Sequence, residues 1–443
     1  MRGIWCCALA LGCSEPTRPA VRDGFLHDAD GRAILMRGVN LAGAHKHAPY
    51  LDDKQYADYA RVRTDWGFNG IRFLMTWSAI EPQQGVYDDA YLERVAERIG
   101  WARDAGLHVV LDMHQDIYGE GFGFDGAPRW TCDEARYAAF VPRTPWFVSA
   151  QDANVIACVD DLYARADLRE HFTEAWRRVA ARFAAEPAVI GFDVLNEPHW
   201  GSSAIHSFEA ETLAPFYEQV VTSVRREAPH WIAFLEPSAA RNGGLATSLR
   251  PFPFDDVMYA PHSYDVTAES GGGFDAARAQ RLKDHVADLA LDAKNLGAGL
   301  WIGEYGGNAA APGIVDYMTA QYDAAGAAAA STMYWAYDKG GAYSLLDADG
   351  NEKPALLGVL VRPYPSRVAG TPTAYRFDAT TRRFTLDYVP DPEVSAPTRI
   401  IVPRRTYPDG FTVECDCSYE TDGDELVITG PPAGRSATIT VEP

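Results

Sequence analysis

Positive charge is scarce in this chain: 40 Lys and Arg stand against 61 Asp and Glu, giving a formal charge of −21. So acidic a surface opposes broad attraction to polyphosphates or anionic lipid, which sets nucleic acid aside as a partner. Long apolar runs are missing as well. The stretch Ile4 to Gly12 holds nine residues, too few to cross a bilayer but enough for the core of an export signal. Cysteine is sparse: beyond that N-terminal stretch only Cys132, Cys158, Cys415 and Cys417 follow Cys13, and none has the spacing of a structural zinc site. Internal repeats are absent.

Residues 1–22 are expected to form an export segment and linker, and Leu9-Ala10-Leu11-Gly12-Cys13 resembles a bacterial lipoprotein cleavage box with Cys13 as the lipidated residue. The protein is accordingly expected to be secreted or lipid-anchored at the bacterial cell envelope. In that oxidising setting Cys132 and Cys158 can close the long insertion they flank. Cys415 and Cys417 would point to one side of a strand, where a direct bond is strained, so free thiols are expected.

What is abundant points to a globular enzyme. A chain of 443 residues with 47% hydrophobic and 12% aromatic content supports one large domain and a smaller one. Short apolar runs alternate with amphipathic segments: Ile34 to Asn40, Gly70 to Leu74, His108 to Met113, Val189 to Asn196, Trp231 to Leu235, Val257 to Pro261, Leu300 to Glu304 and Thr332 to Trp335. Helices are expected between them, over Asp53 to Trp66 and Asp88 to Ala105 for example, each stopped by a glycine. Eight such units predict an α/β fold, a (β/α)8 TIM barrel, over residues 23–362. Past about Pro363 helical periodicity stops, and alternating runs such as Arg383 to Tyr388 and Arg399 to Val402 predict a small antiparallel β-sandwich over residues 363–443. The longest connection, from His114 to about Asp167, is rich in aromatics and is expected to be functional.

Two strands end in glutamate. Glu197 closes the fourth, after Asn196, and Glu304, 107 residues later, closes the seventh. Strand ends of a barrel meet at its C-terminal mouth, so the two carboxyls can face each other across a cleft. Two carboxyls roughly 5–5.5 Å apart support retaining glycoside hydrolysis, in which one attacks the anomeric carbon and the other protonates the leaving oxygen. Glu197 fits the acid/base and Glu304 the nucleophile. Arg72, at the end of the second strand, is expected to donate a forked pair of hydrogen bonds to Glu304. His262 and Tyr264 end the sixth strand, where the phenol can bond Glu304, and Trp335 on the eighth offers an indole face to a sugar.

This constellation resembles glycoside hydrolase family 5, through "RGVNL", "GFNGIRF", "LNEP", "HSY", "GEYG" and "YWAYD" in order over residues 23–353. The longer stretch "LDMHQDIYG" followed by "GAPRW" is similar to the endoglycoceramidase subgroup, enzymes that cut the β-bond between an intact glycan and ceramide. The resemblance implies that His114, Asp116 and Lys46 hold hydroxyls of the sugar next to the scissile bond. It implies further that Asn196 binds the 2-hydroxyl and that Trp335 floors the subsite. Neither metal nor cofactor is implied. The substrate would be a glycosphingolipid met at a membrane or micelle surface by a monomer, and Phe122, Phe124, Trp130, Trp146, Phe147, Trp200, Phe252 and Phe254 are expected near the mouth. A family 5 enzyme acting on a polysaccharide or simple β-glycoside, and a catalytically idle glycolipid-binding lipoprotein, are the alternatives.

Overall fold

The computed structural model describes residues 18–443 apart from residues 52 and 433. Of the expected export segment and linker, residues 1–22, the part up to residue 17, with Cys13, lies outside the described residues. Eight strands close a parallel barrel in chain order: Arg37–Leu41, Gly70–Met75, His108–Met113, Val189–Asp193, Ile232–Leu235, Val257–Tyr259, Gly299–Tyr305 and Ser331–Tyr337. Parallel strands buried on both faces need near-continuous apolar runs, which is why these segments read as runs and not as alternations. Met36, Val110, Ile190, Ile232, Phe234, Met258, Trp301 and Met333 fill the interior below the mouth. Close approach at the seam of the first two strands requires glycine, because a Cβ on Gly38 would stand 1.9 Å from the Gly70 carbonyl oxygen.

Helices wrap the outside and run back against the strands. Tyr56–Thr64 and Asp89–Asp104 fall within the expected segments; Asp88 caps the second by accepting the Tyr91 N–H, and Gly67 and Gly106 follow with φ of 68° and 75°. The long connection after the third strand carries its own helices, Glu134–Ala139 and Ala153–Ala164, and a Cys132–Cys158 disulfide pins them together.

Two antiparallel sheets form the sandwich. One pairs Gly370–Asp378, Arg383–Pro390, Ala437–Glu442 and Thr412–Glu414; the other contains seven strands, of which Ala20–Arg22, Phe25–His27 and Ala33–Ile34 come from the N-terminal side. The first predicted strand is therefore two. Ala33–Ile34 pairs with Tyr364–Val368, and only Arg37–Leu41 enters the barrel. Leu35 packs in the sandwich core and Met36 in the barrel core, so one apolar run serves two interiors. Cys415 and Cys417 are bonded, contrary to the expected free thiols. They lie in a bend between strands, and their Cα atoms close to 5.2 Å, against about 6.6 Å for alternate residues of an extended strand. Among the described residues no helix is long and apolar enough to cross a membrane.

Candidate active site

Glu304 projects from the seventh strand, and Glu197 stands four residues past the end of the fourth in a left-handed conformation with φ 41°. A carboxylate oxygen of each and a ring nitrogen of His262 lie within 4.8 Å of one another. His262 Nδ1 is 2.9 Å from Glu197 Oε1 and 3.6 Å from Glu304 Oε2. Asn242 Nδ2 donates to the same Glu197 oxygen at 2.7 Å, and the Tyr264 hydroxyl donates to Glu304 Oε2 at 2.9 Å. Asn242 comes from the loop after the fifth strand. That loop is held by the buried carboxylate of Glu209, which accepts the N–H groups of Ser238 and Ser248 and the Thr247 hydroxyl.

Arg72 does not fork onto the nucleophile candidate. Its Nη1 donates to Glu304 Oε1 at 2.8 Å and to Asn40 Oδ1 at 3.1 Å, while Nε bonds Asp193 Oδ2 and Nη2 reaches Asn196, Glu236 and Asp112 at 2.9–3.0 Å. Four carboxyls converge on this one fully buried guanidinium, so its donors are spread among them. Asp112, Asp193 and Glu236 are the members that residue patterns did not single out. Glu236 had the same signal as Glu197, an apolar strand ending in Glu-Pro. Asn196 spends its oxygen on Arg72 and one Nδ2 hydrogen on the Gln115 carbonyl, leaving its second hydrogen for a ligand.

Beside the carboxyls lies a platform. The half-buried Trp335 ring stacks with His114 at 5.2 Å and 14°, and Lys46 Nζ sits 4.5 Å from its centroid. Lys46 is also ion-paired with Asp116, and Asp125 is buried next to both. His114, Asp116 and Asp125 have the donor atoms to hold a metal, yet the Lys46 ammonium already supplies a cation to this cluster. All ten residues expected at the site thus gather around one mouth: Lys46, Arg72, His114, Asp116, Asn196, Glu197, His262, Tyr264, Glu304 and Trp335.

The cellulase model of glycosyl hydrolase family 5 matches residues 27–341, and the model of the family's C-terminal domain matches residues 362–441. The chain belongs to glycoside hydrolase family 5. Endoglycoceramidase I of Rhodococcus hoagii is 28% identical over 455 residues, spanning 97% of this chain and 89% of that protein. Endo-glycoceramidase II from Rhodococcus sp. superposes with a TM-score of 0.85 at 33% identity, over 95% of this chain and 99% of that one. Structures of that enzyme include a ganglioside GM3 complex and a lactosyl-enzyme intermediate. Sterylglucosidase 1 of Cryptococcus neoformans, 16% identical with a TM-score of 0.81, shares the fold. Within family 5 the chain falls in the endoglycoceramidase subgroup.

Protons in this family 5 site are held jointly. Burial would push the Glu197 carboxyl up, but the hydrogen bond and charge of His262, with Lys46 and Arg72, outweigh it and hold the group below its usual range. Burial raises Glu304 against the pull of His262 and Arg72, and the charge of Glu197 adds to the rise. His262 is raised well above an ordinary histidine, because Glu236, Glu304 and Glu197 together overcome its desolvation. An imidazolium touching a carboxylate holds the same proton as an imidazole touching a carboxylic acid. When that proton crosses the 2.9 Å to Glu197, that carboxyl becomes the acid; the repulsion of Glu197 and the larger pull of the imidazolium on Glu304 vanish together, and Arg72 and Lys46 remain to hold the Glu304 anion. Burial likewise lifts Asp112 well above, and drops His114 well below, their usual ranges. His114 Nδ1 lies 2.8 Å from Asp112 Oδ2, and among the described residues its Nε2 has no hydrogen-bond partner, which leaves that side of the ring for a ligand.

The aromatic residues expected at the mouth divide. Trp146 and Phe147 are 49% and 42% exposed, on the disulfide-pinned connection, with Phe124 behind Trp146. Phe122 is buried against Tyr137 and Phe140, and Trp130 packs on Trp77, so both serve the loop's own core. Trp200 stacks on His199. Phe252 and Phe254 correct the expectation. They stack on each other ahead of the sixth strand, and Phe254 lies beside Arg225 in the last turn of the helix Ala214–Glu227, at the barrel's base. Helices run opposite to the strands, so a helix C-terminus lies away from the mouth.

Proposed function

We propose that this protein hydrolyses the β-glycosidic bond between glycan and ceramide in glycosphingolipids, with retention of configuration, by double displacement. The approach of the Glu197 and Glu304 carboxyls to within 4.8 Å carries the reading, because it is a spacing for direct attack and leaves too little room for a second, water-activating base. Full-length similarity to two endoglycoceramidases supports the substrate class.

In the first step Glu304 bonds to the anomeric carbon as the bond to the ceramide oxygen breaks, and Glu197 gives that oxygen its proton. Water, deprotonated by Glu197, then attacks the same carbon; the glycan leaves and Glu304 is regenerated as a carboxylate. Arg72 and Tyr264 hold Glu304 from both oxygens, fixing its orientation for attack. His114 Nε2, Lys46, Asp116 and the free Asn196 hydrogen read sugar hydroxyls over Trp335. The exposed Trp146 and Phe147 support peripheral contact with a membrane or micelle, and two disulfides support a secreted or envelope-anchored location.

Purified protein incubated with glucosyl-, galactosyl-, lactosyl- and ganglioside-type ceramides, an alkyl β-glucoside and cello-oligosaccharides should release intact glycan from at least one ceramide, first as the β-anomer. Glu197→Gln and Glu304→Gln should each lower turnover by about 10³-fold or more with the thermal melt unchanged. Turnover of the alkyl glucoside or cello-oligosaccharides alone overturns the ceramide assignment.

A further inference from the structure

Glu236 stands one residue past the fifth barrel strand, Ile232–Leu235, and its carboxyl touches three parts of the site at once. Oε2 accepts the backbone N–H of Glu197 at 2.8 Å. Oε1 is 3.0 Å from Arg72 Nη2 and 3.2 Å from His262 Nε2. The other ring nitrogen of that histidine is the one 2.9 Å from Glu197 Oε1. Carboxyl, imidazole and carboxyl therefore form a chain of contacts, with Glu236 and His262 only 1% and 0% exposed.

We propose that Glu236 is a positioning residue for the acid/base: it holds the proton shared by His262 and Glu197, and it anchors the left-handed backbone from which Glu197 is presented. This rests on the reading of Glu197 as acid/base. Two observations carry it. A non-glycine residue at φ 41° is strained and persists only where its surroundings hold it. The N–H of that residue is held by Glu236. An imidazole between two carboxylates, away from water, also binds its proton more tightly than one beside a single carboxylate. The other groups facing this chain are Arg72 from the second strand, Asp112 from the third, Asp193 from the fourth, Glu304 from the seventh and Tyr217, whose hydroxyl donates to the Glu236 carbonyl. Burial pushes the Glu236 carboxyl up to about 8, with His262 and Arg72 pulling down and Asp193 pushing up.

Glu236→Gln keeps the shape and removes the charge. With less negative charge beside His262, the shared proton leaves at lower pH, so the alkaline limb of kcat/KM should move down by on the order of one pH unit. An alkyl β-lactoside, whose leaving oxygen needs protonation, should lose about 10²-fold in kcat/KM, whereas β-lactosyl fluoride, which needs little acid assistance, should stay within about five-fold of wild type. Glu236→Asp, which retains the charge, should recover most of the alkaline limb and serves as the test if the glutamine variant does not fold. Equal losses on both substrates with an unmoved limb overturn the proposal. Wild-type protein inert towards the fluoride overturns instead the reading of the site on which it rests.

Discussion

Three glutamates in this chain close barrel strands, and their surroundings separate their work. The Glu197 side chain is 26% accessible, Glu304 7% and Glu236 2%, so the first two open on the cleft while the third lies under it. Their pH behaviour follows. In the proposed mechanism Glu304 must be ionised to attack, and it is raised above the ordinary carboxylate value, so activity should fall on acidification at a pH above about 4.3. The proton that Glu197 would deliver in that mechanism is lost only when the His262–Glu197 pair deprotonates, and His262 is raised, so the alkaline limb should lie above about 6.5. A bell-shaped kcat/KM profile with both limbs displaced upward is the expected outcome, measured on a soluble aryl β-lactoside. An acid limb at or below 4.3 would contradict the crowding of Glu304.

Among the elements, the connection after the third strand is the least ordinary. It departs from the barrel for about 50 residues, and its interior is small: Phe122 against Tyr118, Tyr137 and Phe140, with Trp130 on Trp77. The Cys132–Cys158 bond ties its start to the helix Ala153–Ala164 across a separation of 26 residues. Loop-closure entropy for such a span corresponds to about 3.5 kcal/mol in the chain-entropy description. The double variant Cys132→Ser, Cys158→Ser should therefore melt several degrees lower than the parent, and reductant should lower the parent's transition but leave the variant's response to this bond absent. Calorimetry with and without reductant checks this.

For the whole molecule, charge and shape work together. A chain of net charge −21 gains nothing from anionic lipid, so the surface contact proposed above would fall to apolar side chains, and Trp146 and Phe147 are large exposed aromatics of the mouth connection. Trp146→Ala with Phe147→Ala should raise the apparent KM for lactosylceramide in zwitterionic micelles several-fold, while a soluble aryl lactoside is turned over as before. Equal effects on both substrates would place these rings in the catalytic cleft and not on the surface. Behind the barrel, Ala20–Arg22, Phe25–His27 and Ala33–Ile34 join the C-terminal strands in one sheet, so the chain's described beginning and its end share a core.

Residue order was sufficient for what repeats locally. Apolar runs of strand length, helices closed by Gly67 and Gly106, and the switch to short alternating runs after Pro363 place the eight barrel strands and the antiparallel sheets, because burial on both faces leaves a pattern in the chain itself. Glutamates at strand ends marked the mouth for the same reason. What distant segments do to one another left no such pattern. The run from Ile34 to Asn40 divides between two sheets because two interiors lie on either side of it. Cys415 and Cys417 bond because the chain bends between them, and Arg72 serves four carboxyls because four strands converge beneath the cleft. Glu236 had the same local signature as Glu197, and only folding put one under the site and the other in it. Charge states depend on neighbours within a few ångströms, and those neighbours come from strands far apart in the chain.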